Sequence, residues 1–534
     1  MADNLSTTVS STFCNFNFNL CDPLLAIMGS EIYATLASSL PTIIIAGSIF
    51  FLITLLPTIN YKLKLAKLPT FGEGQFEHFY QFAFQTYKDG YHKYKDSAWR
   101  VAAGDGDNHV VIPTKFLREL RQLPDDVLNM PQALAAQLET KYVGLDPDLK
   151  SMVHAVKSDL TPALARLNAT IMDEVDVSIN KYIPPAEDWT RINVYNSIAQ
   201  IVAQVSGRVF VGPELCHEPE YLDAALNYTM EVINAHAAIK KMHPMLKSLF
   251  ASRLPEVKKI RERERRAANF FEPLLRQRLY AEENDPTYKK PSDAMQWMMD
   301  RTERKNGSLD IAKVAKDQLQ LSFAAVHTTT ATGTNILYTL ATTPEYIAPL
   351  REEIRTVLAK HDGVLTSTAL GQLEKLDSYM KEVIRFYQME TGSFGRKVLK
   401  GITLSNGQYI PPGVVIEAPV NAIYQDSELW PDAHKFDGFR HYKLRHSGKG
   451  DATVQARNLF VTTNETNLMF GYGARACPGR FFAANEIKMI MARLILNFDI
   501  KMPDGLTERY QQFRLGRSSS PDPTKDLLIK RVQY

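Results

Sequence analysis

The chain has 534 residues, of which 45 % are apolar and 23 % are charged, and its formal net charge at pH 7 is +3. This length is ample for a large buried core and permits either several domains or one large enzyme domain. The net charge is small and no basic stripe carries interleaved aromatic residues, which argues against nucleic-acid binding.

The first distinctive segment is an uncharged apolar stretch near the N-terminus. Residues 32–58 are predicted to form a transmembrane helix, since a span needs about 20 apolar residues. Residues 1–31 carry no Lys or Arg, whereas Lys62, Lys64 and Lys67 follow the span. The positive-inside rule places residues 1–31 in the lumen and everything after the span in the cytosol. A cleaved signal peptide is the alternative, but no basic region precedes the apolar stretch.

A hinge and one large domain are predicted to follow. Residues 59–72 combine the lysines with Pro69 and Gly72, which interrupt a helix, and we interpret them as a basic hinge. Residues 73–534 show mainly helical periodicity, strongest at 131–167, 194–209, 221–249 and 257–282. Strand-like runs are few: residues 100–112, and a hairpin around Asn406-Gly407. We therefore expect a mainly α fold with small β-sheets.

Residues 317–340 are predicted to form one long buried helix. Ala324 and Ala325 leave room for a flat ligand to lie against it. The hydroxyl of Thr328 can bond the carbonyl four residues back, which loosens a helix and often bends it. The sequence thus predicts a groove beside Thr328.

The most informative run extends from Phe470 to Gly479 and reads Phe-Gly-Tyr-Gly-Ala-Arg-Ala-Cys-Pro-Gly. Its glycines allow a tight turn and a close approach to a flat ligand. Arg475 can pair with a carboxylate such as a haem propionate. Pro478 suits the first turn of a helix, so Cys477 is expected at a helix N-terminus, where the dipole and free amides stabilise a thiolate. Such a thiolate can bind haem iron.

The pattern Phe-x-x-Gly-x-Arg-x-Cys-x-Gly in this run resembles the haem-binding loop of the cytochrome P450 family. The alternative, a buried cysteine in a glycine-rich loop, explains fewer of these positions. The resemblance implies a P450 fold preceded by one transmembrane helix, with residues 73–534 as the haem-thiolate catalytic domain. It also implies haem b with Cys477 as the axial iron ligand, and the implied haem contacts are Cys477, Arg475, Phe470, Gly473, Gly479 and Arg396. The family's usual Trp-x-x-x-Arg contact with a haem propionate is expected to be absent from this chain, and Arg396 and Arg475 are proposed as the propionate partners instead.

The resemblance extends to a charged network upstream of this loop. Residues 376–385 are predicted to form a helix on which Glu382 and Arg385 share a face. Exposed pairs of this spacing are common and contribute little. Together with the later Arg440, however, they match the family's Glu-x-x-Arg motif and the arginine that follows it. An acid between two arginines suits a buried charge, and the implied role is folding and haem retention.

On the long helix, Thr328 matches the family's threonine, while Ala325 replaces the usual glycine and His327 the usual acid. The resemblance makes Thr328 a hydrogen-bond donor in oxygen activation and places His327 in a proton relay. In the alternative reading, Thr328 only bonds a helix carbonyl and His327 is an ordinary polar residue on a helix.

Within the family, the run Ala-Ala-x-His-Thr-Thr from Ala324 to Thr329 resembles fungal microsomal P450 enzymes of secondary metabolism, of the terpenoid-pathway type. This resemblance implies a monooxygenase in the endoplasmic reticulum membrane that inserts one oxygen atom from O2 into an apolar small molecule. The alternatives are an O2-independent isomerase or dehydratase of the same family and a non-catalytic haem-binding membrane protein. The chain has no nucleotide- or flavin-binding fingerprint, so the resemblance implies NADPH-cytochrome P450 reductase as a partner.

Two further surfaces are predicted from the same resemblance. The substrate pocket is expected to be lined by Phe323, Ala324 and residues 389–394 and 518–520, with Glu390 as an unusual member. A basic surface for the reductase is expected to include Lys443, Arg445, His446 and Lys449, although a solvated insertion is an equal alternative.

Overall fold

The computed structural model describes residues 21–103, 109–304, 308–447 and 452–533. The chain divides into two compact units, with the boundary between Lys67 and Leu68. The first unit is helix α1, Cys21–Ala66, which contains Pro41 and Pro57. Its portion Ser39–Ala66 is long and apolar enough to cross a membrane, judged by length and composition. The helix ends later than the predicted boundary at residue 58, because no breaker occurs between Pro57 and Pro69.

The second unit is mainly helical, as the periodicity predicted. Its helices are α2 Phe76–Lys93, α3 Leu117–Leu120, α4 Met130–Leu138, α5 Thr140–Val143, α6 Lys150–Ala155, α7 Thr161–Tyr182, α8 Val194–Phe210, α9 Pro219–Lys240, α10 Pro244–Phe250, α11 Pro255–Asn284, α12 Ala294–Arg301, α13 Ile311–Leu340, α14 Ile347–Lys360, α15 Ser367–Gln372, α16 Glu374–Phe386, α17 Val420–Tyr424, α18 Arg440–Arg445, α19 Ala452–Arg457 and α20 Arg480–Asn497.

The strands are short and form four small sheets. They are β1 Thr70–Phe71, β2 Trp99–Val101, β3 His109–Val111, β4 Leu128–Asn129, β5 Thr190–Asn193, β6 Ser393–Val398, β7 Ile402–Thr403, β8 Tyr409–Ile410, β9 Val415–Ala418, β10 Phe498–Lys501, β11 Gln512–Leu515, β12 Ser518–Pro521 and β13 Asp526–Arg531. The largest sheet has the order β1-β2-β3-β9-β6-β4, and the others are β10-β13-β5, β11-β12 and β7-β8. The predicted fold class, mainly α with small sheets, is confirmed.

Two of the predicted helical ranges are wrong in their continuity. Residues 131–167 are divided because Gly144 ends α5 in the left-handed region at φ 93°, a conformation that glycine adopts at little cost. Residues 221–249 are divided between α9 and α10. The hairpin prediction is confirmed: β7 and β8 pair antiparallel across Asn406-Gly407. The strand-like run at residues 100–112 forms the antiparallel pair β2 and β3, and residues 104–108 between them lie outside the described residues.

The core of this unit is organised around α13. Every residue of this helix from Thr329 to Leu340 is buried. Its neighbours are α8, α9, α11, α16 and α20. Apart from its first turns, α13 keeps some exposure only between Phe323 and Thr328, where Val326 alone is fully buried. This is the part of the helix on which the sequence predicted a groove beside Thr328.

Candidate functional site

The loop around Cys477 folds as a tight turn that ends in the cysteine. Gly471 and Gly473 have φ angles of 74° and 80°, values that strain any residue with a side chain. Residues Gly473–Arg475 form one turn of 3-10 helix. The amide of Cys477 donates to the carbonyl of Phe470 at 2.7 Å, which closes the loop.

The thiol of Cys477 faces open space inside densely packed surroundings. Cys477 is an exposed free cysteine, whereas Cys216 is buried. Nevertheless, burial raises the pKa of the Cys477 thiol, against the opposing effects of the Gly479 and Arg480 backbone N–H groups and the charge of Arg480. A side chain that is open on one side and closely surrounded on the others lines a cleft. A metal ion in that cleft would favour the thiolate, which is its ligand form.

Helix α20 begins later than the sequence suggested. It starts at Arg480 with Gly479 as its N-cap, so Pro478 precedes the helix rather than occupying its first turn. The backbone amides of Gly479 and Arg480 nevertheless lie beside the Cys477 thiol and favour its thiolate form, as the sequence predicted for amides at the start of this helix. These N–H groups belong to the end of a helix, where they have no partner within it.

Arg396 is a buried cation without an acidic partner among the described residues. Its side chain donates to the carbonyls of Gly395 at 2.8 Å and Tyr472 at 3.4 Å, and it lies over the ring of Phe394. Burial, followed by the nearby charge of Arg475, lowers the pKa of Arg396 to about 10. A buried charge requires a compensating partner. The arrangement fits a ligand that brings carboxylates into the cleft, as the propionates of haem b do.

Arg475 has a partner of its own. It forms a salt bridge with Asp125, and the side chain is about a third exposed (32 %). Asp125 lies in the segment before α4 and was not predicted from the sequence. Both arginines were predicted to contact the haem propionates. Arg475 instead already has an acidic partner, Asp125, whereas Arg396 has none among the described residues.

The helix preceding α7 contributes a lysine to the same loop. Residues Val156–Leu160 form a π-helical turn, a feature that occurs often at functional sites. The ammonium of Lys157 donates to the carbonyl of Ala474 at 3.3 Å. The spacing Trp-x-x-x-Arg does occur at Trp297 and Arg301, but it lies on α12, where Arg301 forms a bidentate pair with Asp159. Lys157 therefore contacts the cysteine loop, although it is not part of a Trp-x-x-x-Arg motif.

Helix α13 presents two small exposed residues, Ala324 and Thr328, one turn apart. The Thr328 hydroxyl donates to the carbonyls of Ala324 at 2.9 Å and Ala325 at 3.2 Å. The helix continues through this point without interruption. Small side chains, rather than a break in the helix, open the surface there.

The contacts of His327 favour a role in helix packing over a role in a proton relay. Its Nε2 lies 2.8 Å from the Leu226 carbonyl, which can only accept, so Nε2 carries the hydrogen. Nδ1 then accepts from the Tyr195 hydroxyl at 3.1 Å. Burial lowers the pKa of His327, which keeps the ring neutral at pH 7. The side chain links α13 to α8 and α9, and the hydrogen-bond chain ends at a backbone carbonyl.

Glu382, Arg385 and Arg440 are brought together in one buried cluster. Glu382 is 0 % exposed. Arg385 donates to both of its oxygens at 2.8 Å, and Arg440 donates to Oε1 at 3.1 Å. The remaining donors of the two arginines reach the backbone carbonyls of Tyr424, Ala433, Pro431, Asp432 and Lys435.

His441 belongs to this cluster and was missed by the sequence analysis. It is fully buried, and its Nε2 lies 3.8 Å from Glu382. Burial lowers the pKa of His441 well below its usual value, so the ring is neutral. Its position directly after Arg440 was the available signal, but the Glu-x-x-Arg pattern gives no reason to choose it.

The predicted basic surface is largely neutralised by neighbouring acids. Lys443 pairs with Asp437, and Arg445 and His446 both pair with Glu374. Lys449 lies outside the described residues. Near the cysteine loop, by contrast, the exposed Arg121 and Lys157 have no acidic partner among the described residues.

Comparisons with known proteins agree with these features. The family model described as "Cytochrome P450" matches residues 106–525. The cytochrome P450 monooxygenase TES1 of Alternaria alternata is 35 % identical over 500 residues, covering 92 % of this chain and 94 % of the relative. The monooxygenase ATR3 of Stachybotrys chlorohalonatus is 37 % identical over 424 residues, 79 % of this chain and 88 % of the relative. AN1598 of Emericella nidulans, with the same description, is 37 % identical and covers 85 % and 84 %.

A solved structure supports the fold. The cyanobacterial protein CYP120A1, solved with retinoic acid bound, matches with a TM-score of 0.62 at 17 % identity, covering 83 % of this chain and 94 % of that one. At this identity the likeness concerns the fold alone.

Proposed function

Because this chain belongs to the cytochrome P450 family, as a haem-thiolate monooxygenase of fungal secondary metabolism, we propose that it inserts one oxygen atom from O2 into an apolar terpenoid scaffold. The observation that carries this proposal is that the cysteine loop holds an accessible thiol, Cys477, and is also contacted by a buried arginine. This arginine, Arg396 on β6, donates to the Tyr472 carbonyl of the loop and has no acidic partner among the described residues. The haem held there supplies the iron centre at which O2 is activated, while the residues of the chain position the substrate and the protons.

Thr328 is the residue proposed to handle protons at this centre. Its hydroxyl donates to the helix carbonyls, which leaves the oxygen lone pairs free to accept a hydrogen bond from a water in the cleft. A water held in this way can donate toward the reacting oxygen. His327 belongs to the same proposal only as a more distant relay, since its two ring nitrogens are already engaged by Tyr195 and Leu226.

Electrons must come from a redox partner, as they do in this family, and we propose NADPH-cytochrome P450 reductase. Arg121 and Lys157 beside the cysteine loop favour an acidic partner protein, because these exposed cations have no acidic partner among the described residues. Lys443 favours it less, because Asp437 already neutralises its charge. The apolar helix Ser39–Ala66 supports a single-pass anchor. Lys62, Lys64 and Lys67 at its end support a cytosolic catalytic domain on the endoplasmic reticulum.

The test is reconstitution of the full chain with the reductase in yeast microsomes under 18O2, supplied with sesquiterpenes. We expect products that carry one labelled oxygen and require NADPH. Cys477→Ala should lose both the product and the thiolate-type carbon monoxide band. Cys216→Ala is the matched control, because it removes the buried free cysteine and should retain both. Conversion without label or NADPH would favour the isomerase or dehydratase alternative.

A further inference from the structure

Glu390 carries a carboxyl that is largely shielded from water, and the described residues satisfy it incompletely. It lies between α16 and β6, and an antiparallel bridge joins it to Ser518 at the start of β12. The Ser518 hydroxyl donates to Oε1 at 2.7 Å. The described residues supply no hydrogen bond to Oε2. Glu390 is only partly exposed and Ser518 is exposed, so this pair is open on one side.

The backbone fixes this pair firmly. The amide of Ser519 donates to the Met389 carbonyl at 2.7 Å, and the amide of Thr391 donates to the Arg517 carbonyl at 2.9 Å. These two bonds flank Glu390 and hold its segment against β12. The carboxyl therefore projects from a rigid two-stranded base, as a binding group should.

Two neighbouring contacts join the segments of this pair to the elements around Cys477. Ser393, three residues after Glu390, donates to the Leu468 carbonyl at 2.8 Å, just before the cysteine loop. Directly after β12, the carbonyl of Asp522 accepts from the hydroxyl of Tyr338 on α13 at 2.9 Å. The segment that carries Glu390 is therefore tied to the loop that leads to Cys477, and the strand that carries Ser518 is tied to α13.

Arg517, the nearest cation, does not neutralise Glu390. Its guanidinium is in contact with the buried Glu417 and with His109 at 3.0 Å. Burial raises the pKa of Glu390 to about 7, and the Ser518 hydrogen bond and the Arg517 charge only partly oppose it. Near neutral pH this carboxyl can therefore both donate and accept a hydrogen bond.

We propose that Glu390 and Ser518 form a polar anchor that binds a hydroxyl group of an otherwise apolar substrate. This inference rests on the proposed function, because it adds the hydroxyl to the apolar scaffold named there. A hydroxyl matches the pair, since it can donate to the open Oε2 or to the Ser518 oxygen, and it can accept from the Glu390 carboxyl when that group is protonated. Anchoring one end of the scaffold determines which end lies toward Cys477, so the pair also determines the position of oxidation.

The experiment measures Kd from the substrate-induced Soret shift of the full-length haem protein. The ligands are matched alcohol and hydrocarbon pairs on three skeletons: a sesquiterpene, an alkylbenzene and a linear alkane. A primary amine analogue of each alcohol is included. The variants are Glu390→Gln, Glu390→Leu and Ser518→Ala, with the exposed Glu508→Leu as the control. The carbon monoxide band of each variant verifies folding.

The wild type and Glu508→Leu should bind an alcohol about tenfold or more tightly than its hydrocarbon, the value of a hydrogen bond to such a group. Glu390→Leu should abolish this preference without weakening hydrocarbon binding, and Glu390→Gln should retain part of it. Ser518→Ala should reduce the preference and shift the position of oxidation.

Three outcomes would overturn the anchor. They are the absence of an alcohol preference on every skeleton, an undiminished preference in Glu390→Leu, and tighter binding of the amine than of the alcohol. The choice of skeleton is a separate readout. A Glu390-dependent preference that occurs only on the alkylbenzene or the alkane supports the anchor and contradicts the terpenoid proposal.

Discussion

Replacing Glu382 should prevent the protein from retaining haem. The side chain is 0 % exposed and receives hydrogen bonds from Arg385, from Arg440 and from the Asp437 amide. Glu382→Ala therefore leaves two guanidinium groups without their shared acid. Removing one member of a buried ion pair costs about 3–5 kcal/mol. Folded proteins are stable by only about 5–15 kcal/mol, so much of the protein should be unfolded or free of haem.

The assay compares haem content per protein, the thiolate-type carbon monoxide band and the melting temperature. The chain provides a matched control, because Glu262 and Arg265 form a second Glu-x-x-Arg pair on the exposed face of α11. Glu262→Ala should leave all three measurements unchanged, since exposed pairs contribute little. Glu382→Gln preserves the shape of the side chain and should resemble Glu382→Ala. Normal haem content in Glu382→Gln would refute the charge argument and leave only side-chain volume as the cause.

Three further predictions concern oxygen chemistry, the role of His327 and membrane topology. Thr328→Val keeps the shape of the side chain but removes its hydroxyl. The ratio of product to NADPH consumed should fall severalfold and the hydrogen peroxide released should rise, while the haem content stays unchanged. An unchanged ratio would contradict the role of Thr328 in proton delivery. His327→Phe should lower the melting temperature more than this ratio, because it removes links to Tyr195 and Leu226. Protease added to intact microsomes should digest the chain after Lys67. Full protection would show that the catalytic domain lies in the lumen and would contradict the predicted orientation.

The sequence was sufficient for local features and for motifs that occupy one segment. The periodicity of α8, α11 and α13, and the Asn406-Gly407 hairpin, depend on neighbouring residues and were predicted well. The break between α5 and α6 depends on a left-handed glycine, which the apolar periodicity masked. The Thr328 hydroxyl bonds its own helix as the sequence predicted, and α13 continues past it without a break.

Contacts between distant segments could not be predicted in this way. Asp125 pairs with Arg475, and Lys157 reaches the Ala474 carbonyl, although neither contact has a sequence pattern. A shift in register between Ser393 and Arg396 in β6 also changes the position of Arg396, and such bulges redirect side chains beside functional sites. The family motif identifies the cysteine loop, but the environment of each arginine requires the fold.

Two buried glutamates, Glu382 and Glu486, and the partly buried Glu390 show why burial alone does not assign a role. Glu382 has two arginines and a backbone amide on its oxygens, so its charge is fully compensated and its role is structural. Glu486 is completely enclosed, with Ser206 on one oxygen and no partner on the other, and burial raises its pKa to about 8. No ligand can reach it. Glu390 also has one serine partner, but it retains an exposed surface. Among the three, only Glu390 combines an unsatisfied carboxyl with access, and this combination is what a binding group requires.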